Sequence, residues 1–163
     1  LRGLLLAGTD QSVPLLAEAL ELVGGRVPVI VEIKNRGRAG GMERAVHEIV
    51  SGYAGDVAVA SFNPFSLAWF KENAPGIMRG QSAGLGKGAR SAVHHWFVRR
   101  LILLNTVSRP HFVNYGLRSL PYSAVTRLRG AGMPIIAWTA RSEADAAKAR
   151  AAADNFMFEG IRP

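Results

Sequence analysis

Six short, mostly apolar runs, set among segments of helical spacing, constrain this chain more than any other feature of its sequence. Residues 27–34, 57–62, 77–80, 111–115, 134–139 and 155–158 read as strands, short and bounded by glycine, proline, asparagine or aspartate. Residues 15–23, 42–53, 65–73, 89–104, 123–130 and 143–153 read as helices. Their punctuation agrees: Pro14 before the first helix and Gly24-Gly25 after it, Asn63-Pro64 at the entry to the third, and Ser142 as the N-cap of the last. The second helix carries the apolar stripe Met42, Ala45, Val46, Ile49 and Val50. Such alternation implies parallel strands joined by right-handed crossovers, hence an α/β fold, either a doubly wound open sheet or a (β/α) barrel.

The run 27–34 separates these two architectures. Period-two alternation places Ile30, Glu32 and Lys34 on one face and Val29, Val31 and Ile33 on the other, so a carboxylate and an ammonium share a face at the end of a buried strand. Burying both is costly unless each has a partner or a task. A structural ion pair and a functional one both satisfy that condition. A dinucleotide-binding open sheet calls for a glycine-rich turn after its first strand, and Asn35-Arg36 stands there instead. A barrel calls for polar or aromatic residues at the C-terminal ends of several strands, and Glu32 with Lys34, Ser61 with Phe62, Asn114 with Tyr115 and Trp138 with Thr139 supply them. The chain of 163 residues, 48% hydrophobic and 20% charged, suits a single domain with one substantial core.

Several function classes are excluded on the same grounds. The formal charge of +8 comes from arginines scattered from Arg36 to Arg150 with no dense run, so no nucleic-acid partner is expected. The loop 81–88 is no phosphate-cradling P-loop, because Gln81 stands where a glycine is required and Gly88 follows Lys87 where serine or threonine is required. His47-Glu48 fails as a zinc-protease helix, since Ser51 occupies the second histidine position. His94 and His95 are adjacent on a predicted helix, about 100° apart, and cannot grip one metal from the same face. Trp96 reads as part of a packing stripe on that helix, and His111, at the start of a strand, as structural. Apolar runs such as 101–104 fall far short of the roughly 18 residues of a membrane span. With no cysteine and no visible targeting segment, a cytoplasmic location is the expectation.

One family accounts for the motifs in order. Val13-Pro14-Leu15-Leu16-Ala17-Glu18-Ala19-Leu20, Val31-Glu32-Ile33-Lys34, Ser61-Phe62-Asn63-Pro64, Pro134-Ile135-Ile136-Ala137-Trp138-Thr139 and Phe158-Glu159-Gly160-Ile161-Arg162-Pro163 together resemble the glycerophosphodiester phosphodiesterase family over nearly the whole chain. The resemblance implies a TIM (β/α)8 barrel, of which about six of the eight βα units are represented here. It implies hydrolysis of glycerophosphodiesters to glycerol 3-phosphate and an alcohol with one divalent cation, Mg2+ or Ca2+, a reaction of lipid metabolism. On it, Glu32 matches the metal-ligating glutamate, Lys34 the lysine that helps hold the phosphate, and Phe62 and Trp138 the aromatic residues lining the pocket. Asn114, ending a strand at the same face, is a candidate substrate contact.

The family's His-Arg-Gly, the glutamate shortly after it and the acidic pair followed by a second histidine have no counterpart before Leu15. No catalytic acid or base is therefore expected within residues 1–163, which read as the C-terminal portion of a barrel; both histidines are expected upstream of Leu1. A complete barrel usually takes ~250 residues, and six strands without the other two leave open edges and half-covered apolar faces. The alternative is a non-catalytic, incomplete barrel that binds phosphate-bearing ligands or a partner chain. Assembly with further copies of the chain stays open.

Overall fold

The computed structural model describes residues 5–84 and 107–163. The helix expected over 89–104, with His94, His95 and Trp96, and the glycines at 86 and 88 lie outside the described residues. Among the described residues, α1 (Leu16–Val23), β1 (Val29–Glu32), α2 (Gly41–Ser51), β2 (Val57–Ser61), α3 (Pro64–Asn73) and β3 (Met78–Ala83) precede β4 (Phe112–Gly116). A 3-10 turn (Leu117–Ser119), α4 (Ser123–Gly130), β5 (Ile135–Ala140), α5 (Glu143–Ala152) and β6 (Asn155–Phe158) follow.

All five strand pairings are parallel, and the spatial order is β1-β2-β3-β4-β5-β6. That order decides the architecture. A doubly wound sheet reverses direction at a switch point so that its helices cover both faces. Here the order never reverses, so same-handed crossovers keep the described helices on one face and the sheet curls with its other face inward. The result is an arc of a TIM barrel, six strands wide, with β1 and β6 at its edges.

The outer face of the arc carries the core. Val59, Val113, Ile135 and Ala137 are fully buried on the strands, and α3 supplies Leu67 and Phe70, also fully buried. Alanines 146 and 149 of α5 bring that helix close to β5 and β6. Burial fades towards the edge: β4 is buried throughout, whereas β1 alternates between half-buried Val29 and Val31 and exposed Ile30 and Glu32.

Local details follow the residue chemistry, with some corrections. The αL residue that ends α1 is Gly24, at φ 58°, and the Asn63 side chain caps α3 by accepting from Phe65 N–H at 3.0 Å, with Pro64 at the first position. Ser142 caps α5 by accepting from Asp145 N–H at 3.1 Å. The first strand is shorter than 27–34, because Val29 is the first residue of the ladder, its N–H bonding to the Asp56 carbonyl, and Val27 stays exposed. The third strand runs past the expected 77–80 to Ala83, so Gln81 and Ser82 belong to the sheet and not to a loop. Its polar sequence conceals it; Gln81 Nε2 donates to the carbonyls of Ser61 (3.1 Å), Ser82 (3.2 Å) and Phe62 (3.4 Å), while its Oε1 is buried without a partner. The buried face of α2 also differs from the expected stripe: Met42 and Ala45 are exposed, and Glu43, Val46, His47 and Val50 turn inward.

His111 lies just before β4, not in it, and its Nδ1 accepts from the Arg79 N–H at 3.0 Å. That bond needs the neutral imidazole. Burial and then the neighbouring Arg79 charge lower its pKa from the ordinary 6.5. The unfolded chain therefore binds this proton more readily than the folded one, so stability present above pH 6.5 is lost as pH falls below that value towards the lower folded pKa. Thermal melts between about pH 8 and about pH 5 should show a smaller acid loss for His111→Asn than for the native chain. Equal losses would remove His111 from the account.

Candidate functional site

The concave side of the arc, at the C-terminal ends of its strands, holds a cavity of about 480 Å³. Register explains what lines it. Glu32 pairs with Ala60, Ala60 with Gly80, Ser82 with Asn114, and Gly116 with Trp138, so alternate residues of neighbouring strands point inward together. Ile30, Glu32 and Lys34 of the first strand and its extension, Ala60 and Phe62 of the second, Ser82, Asn114, Trp138, Thr139 and Met157 form the wall. Trp138 and Thr139 both reach the cavity because the β5–β6 register shifts between Ala137 and Ala140.

All five residues singled out from the sequence, Glu32, Lys34, Phe62, Asn114 and Trp138, line this one cavity. Two others named with them do not. Ser61 is fully buried on the outer side, where its hydroxyl donates to the Ile33 carbonyl at 2.6 Å, and Tyr115 stacks on Tyr122 in the core. Burial first and then Tyr122 push the Tyr115 hydroxyl up to about 12. Period-two alternation accounts for both exclusions, since Phe62 and Asn114 face in and their neighbours Ser61 and Tyr115 must face out. Thr139, named beside Trp138, and Ile30, placed on the face of Glu32 and Lys34, also line it, whereas Ala60, Ser82 and Met157 are lining residues that the sequence did not bring forward. Ser82 was concealed by the unrecognised end of β3.

Chemically the cavity is mostly apolar, with a single charged pair, Glu32 and Lys34, on its wall. Lys34 Nζ stands 3.4 Å from Glu32 Oε2, with the lysine side chain 80% exposed and the glutamate 38% exposed. Phe62 meets Trp138 edge to face at a centroid distance of 5.8 Å. Asn114 Oδ1 and Trp138 Nε1 are buried and have no hydrogen-bond partner, an acceptor and a donor left open beside the cavity. Together these groups offer a cation, a carboxylate, an amide and an aromatic corner to a small anionic ligand with hydroxyl groups.

A divalent cation is the cofactor the resemblance implies, and the donor set fits it in part. Glu32 is a hard oxygen donor open to the cavity. Among the described residues no group of three histidine, cysteine, aspartate or glutamate side chains could hold a metal, so Glu32 can be one ligand of several and not the whole site. Nor is there a histidine among the described residues that line the cavity.

The fold and the cavity define a class: an arc of a TIM barrel with a partly aromatic pocket at the C-terminal face, where barrels of this kind carry their sites. No protein-family model and no curated protein matches the chain. Solved structures do match it. An Oleispira antarctica phosphodiesterase, in complex with the product sn-glycerol-3-phosphate, superposes with a TM-score of 0.67 at 22% identity, over 88% of this chain and 56% of that one. A Galdieria sulphuraria protein provisionally assigned as a glycerophosphodiester phosphodiesterase gives a TM-score of 0.74 at 16% identity, over 96% and 64%. A Parabacteroides distasonis glycerophosphodiester phosphodiesterase gives 0.63 at 18%, over 88% and 58%. The chain thus spans 56 to 64% of the length of these three proteins. At such identities the likeness establishes the fold, and the arc is part of a TIM barrel. Among the described residues no helix is long and apolar enough to cross a membrane.

Proposed function

We propose that this chain forms the substrate-binding arc of a glycerophosphodiester phosphodiesterase, which hydrolyses glycerophosphodiesters to glycerol 3-phosphate and an alcohol. The observation that carries the reading is the convergence of Glu32 and Lys34, 3.4 Å apart, on a cavity walled by Phe62, Trp138 and Asn114 within a TIM-barrel arc. The match to a phosphodiesterase holding sn-glycerol-3-phosphate supports it.

In this proposal Lys34 holds a phosphate oxygen as a point charge and offsets negative charge that grows as the ester bond breaks. The glycerol moiety rests in the corner between Phe62 and Trp138, and its hydroxyl groups satisfy the open acceptor of Asn114 and the open donor of Trp138. Glu32 supplies one oxygen ligand to Mg2+ or Ca2+, with the other ligands coming from outside the described residues. When bound, that cation polarises a phosphoryl oxygen. Proton transfer to the leaving alkoxide and from the attacking group is assigned to two histidines on complementary βα units, because the described cavity contains none.

Calorimetry tests the reading without turnover. The protein should bind sn-glycerol 3-phosphate more tightly than inorganic phosphate, and added Mg2+ or Ca2+ should strengthen that binding in the native chain but not in Glu32→Ala. Cation-independent binding would remove the metal from the proposal. No binding of glycerol 3-phosphate at all would overturn it.

A further inference from the structure

The loop that follows Lys34 is held by a carboxylate that never reaches solvent. Glu43 is completely buried on α2, yet among the described residues no cation pairs with it. Its Oε2 accepts from Gly40 N–H at 2.7 Å, the local bond that a glutamate at the third helical position makes to the residue before the helix. Helix capping explains that oxygen. It does not explain the other one. Oε1 accepts from Asn35 Nδ2 at 2.9 Å and from the Ser66 hydroxyl at 2.5 Å, linking the loop after β1 to α3. Burial alone pushes the Glu43 carboxyl up, but the Gly40, Ser66 and Asn35 donors outweigh it and hold the group below the ordinary carboxylate value.

The same loop is gripped from a second side. Asn63 Nδ2 donates to the carbonyls of Asn35 (3.3 Å) and Gly37 (3.4 Å), while Asn35 Oδ1 accepts from Gly37 N–H at 2.8 Å. On the other side of Lys34, the Ile33 carbonyl is bound by Ser61. Among the described residues the one ion pair of Lys34 is its exposed contact with Glu32, so both of its chain neighbours are fixed while its own side chain is not. In some proteins a buried charge is retained, at a cost in stability, because it fixes one arrangement over others.

We infer that Glu43 is a positioning residue, whose buried carboxylate clamps Asn35 and thereby fixes the backbone that presents Lys34 to the phosphate. This rests on the proposed function for its ligand, but the clamp itself is testable without any ligand. The Asn35–Glu43 contact pairs a donor with an acceptor, so exchanging the two roles gives a reciprocal cycle. Glu43→Gln sets amide against amide or forfeits the Gly40 bond, Asn35→Asp sets carboxylate against carboxylate, and the double variant restores one donor and one acceptor.

Amide hydrogen exchange over residues 35–40 and calorimetric binding of sn-glycerol 3-phosphate are read on all four proteins, with melting temperature as the measure of global stability. Each single variant should exchange about tenfold faster in this loop and bind about tenfold more weakly, as expected for one lost hydrogen bond to a charged group, and the double variant should recover most of both. A purely structural role would lower the melting temperature and accelerate exchange everywhere, without selective recovery in the double variant; that result overturns the inference. Unchanged loop exchange in both single variants overturns it too, whether or not the ligand binds. If the native chain does not bind glycerol 3-phosphate while the exchange cycle behaves as expected, the functional reading fails and the loop clamp stands. If Glu43→Gln does not fold, Asn35→Asp, changed at the half-buried end of the same contact, decides on the same two readouts.

Discussion

Lys34→Ala should weaken binding of sn-glycerol 3-phosphate by roughly 10- to 100-fold, the size of a charge-assisted contact to phosphate. The fold should hardly notice. The Lys34 side chain is 80% exposed and makes one surface ion pair with Glu32 at 3.4 Å. Pairs of this kind contribute about 0–1 kcal/mol, so the melting temperature should stay within about 4 °C of the native value. Lys34→Arg keeps the charge but exchanges a compact ammonium for a planar fork on a longer stem, and should recover only part of the affinity. Titration calorimetry on the three proteins checks the series. Unchanged affinity in the alanine variant would mean that the phosphate lies elsewhere.

Gly84→Ala should be the most damaging small substitution at the rim of the site. A Cβ built there falls 2.6 Å from the Gly116 nitrogen and 2.8 Å from its Cα, and the residue's φ of +130° is one that L side chains rarely adopt. Both neighbours are backbone, so no side chain can swing aside. The ends of β3 and β4 must part at the level of the cavity wall. Backbone strain and overpacking together should cost about 4 kcal/mol, equivalent to a fall on the order of 10 °C in melting temperature. Gly132 provides the control: its φ is +86°, but nothing lies within 4 Å of an added Cβ. Gly132→Ala should cost about 1–2 kcal/mol, from backbone conformation alone. Equal losses from the two variants would show that strand contact at Gly84 is not what matters.

The residues that declared themselves in the sequence are those whose physics is local. Period-two alternation put Ile30, Glu32 and Lys34 on one face, and all three line the cavity; Asn155–Phe158 reads as a strand from its pattern and is one. Asn63-Pro64 announced a helix start because a capping side chain and a proline act within one turn. What stayed hidden depends on distant partners. The end of β3 is a polar run, stabilised by the Gln81 amide reaching carbonyls on β2 and its own strand. Glu43 reads as a solvent-facing helix residue until the tertiary contacts of Asn35 and Ser66 turn it inward, although its spacing of three from Gly40 does carry a capping signal. The inward set Glu43, Val46, His47 and Val50 has proper helical spacing, but a hydrophobic count passes over it because its first member is charged.

The central claim is that Glu32 and Lys34 project together into the mouth of a barrel arc to receive a phosphate ester and its cation. Crystals of the protein grown with sn-glycerol 3-phosphate and Mn2+ test it most directly. The account predicts the phosphate against the Lys34 ammonium, the glycerol in the corner between Phe62 and Trp138, and an anomalous peak for manganese at the Glu32 carboxylate. Ligand density on the outer helical layer, or a manganese peak remote from Glu32, would contradict it.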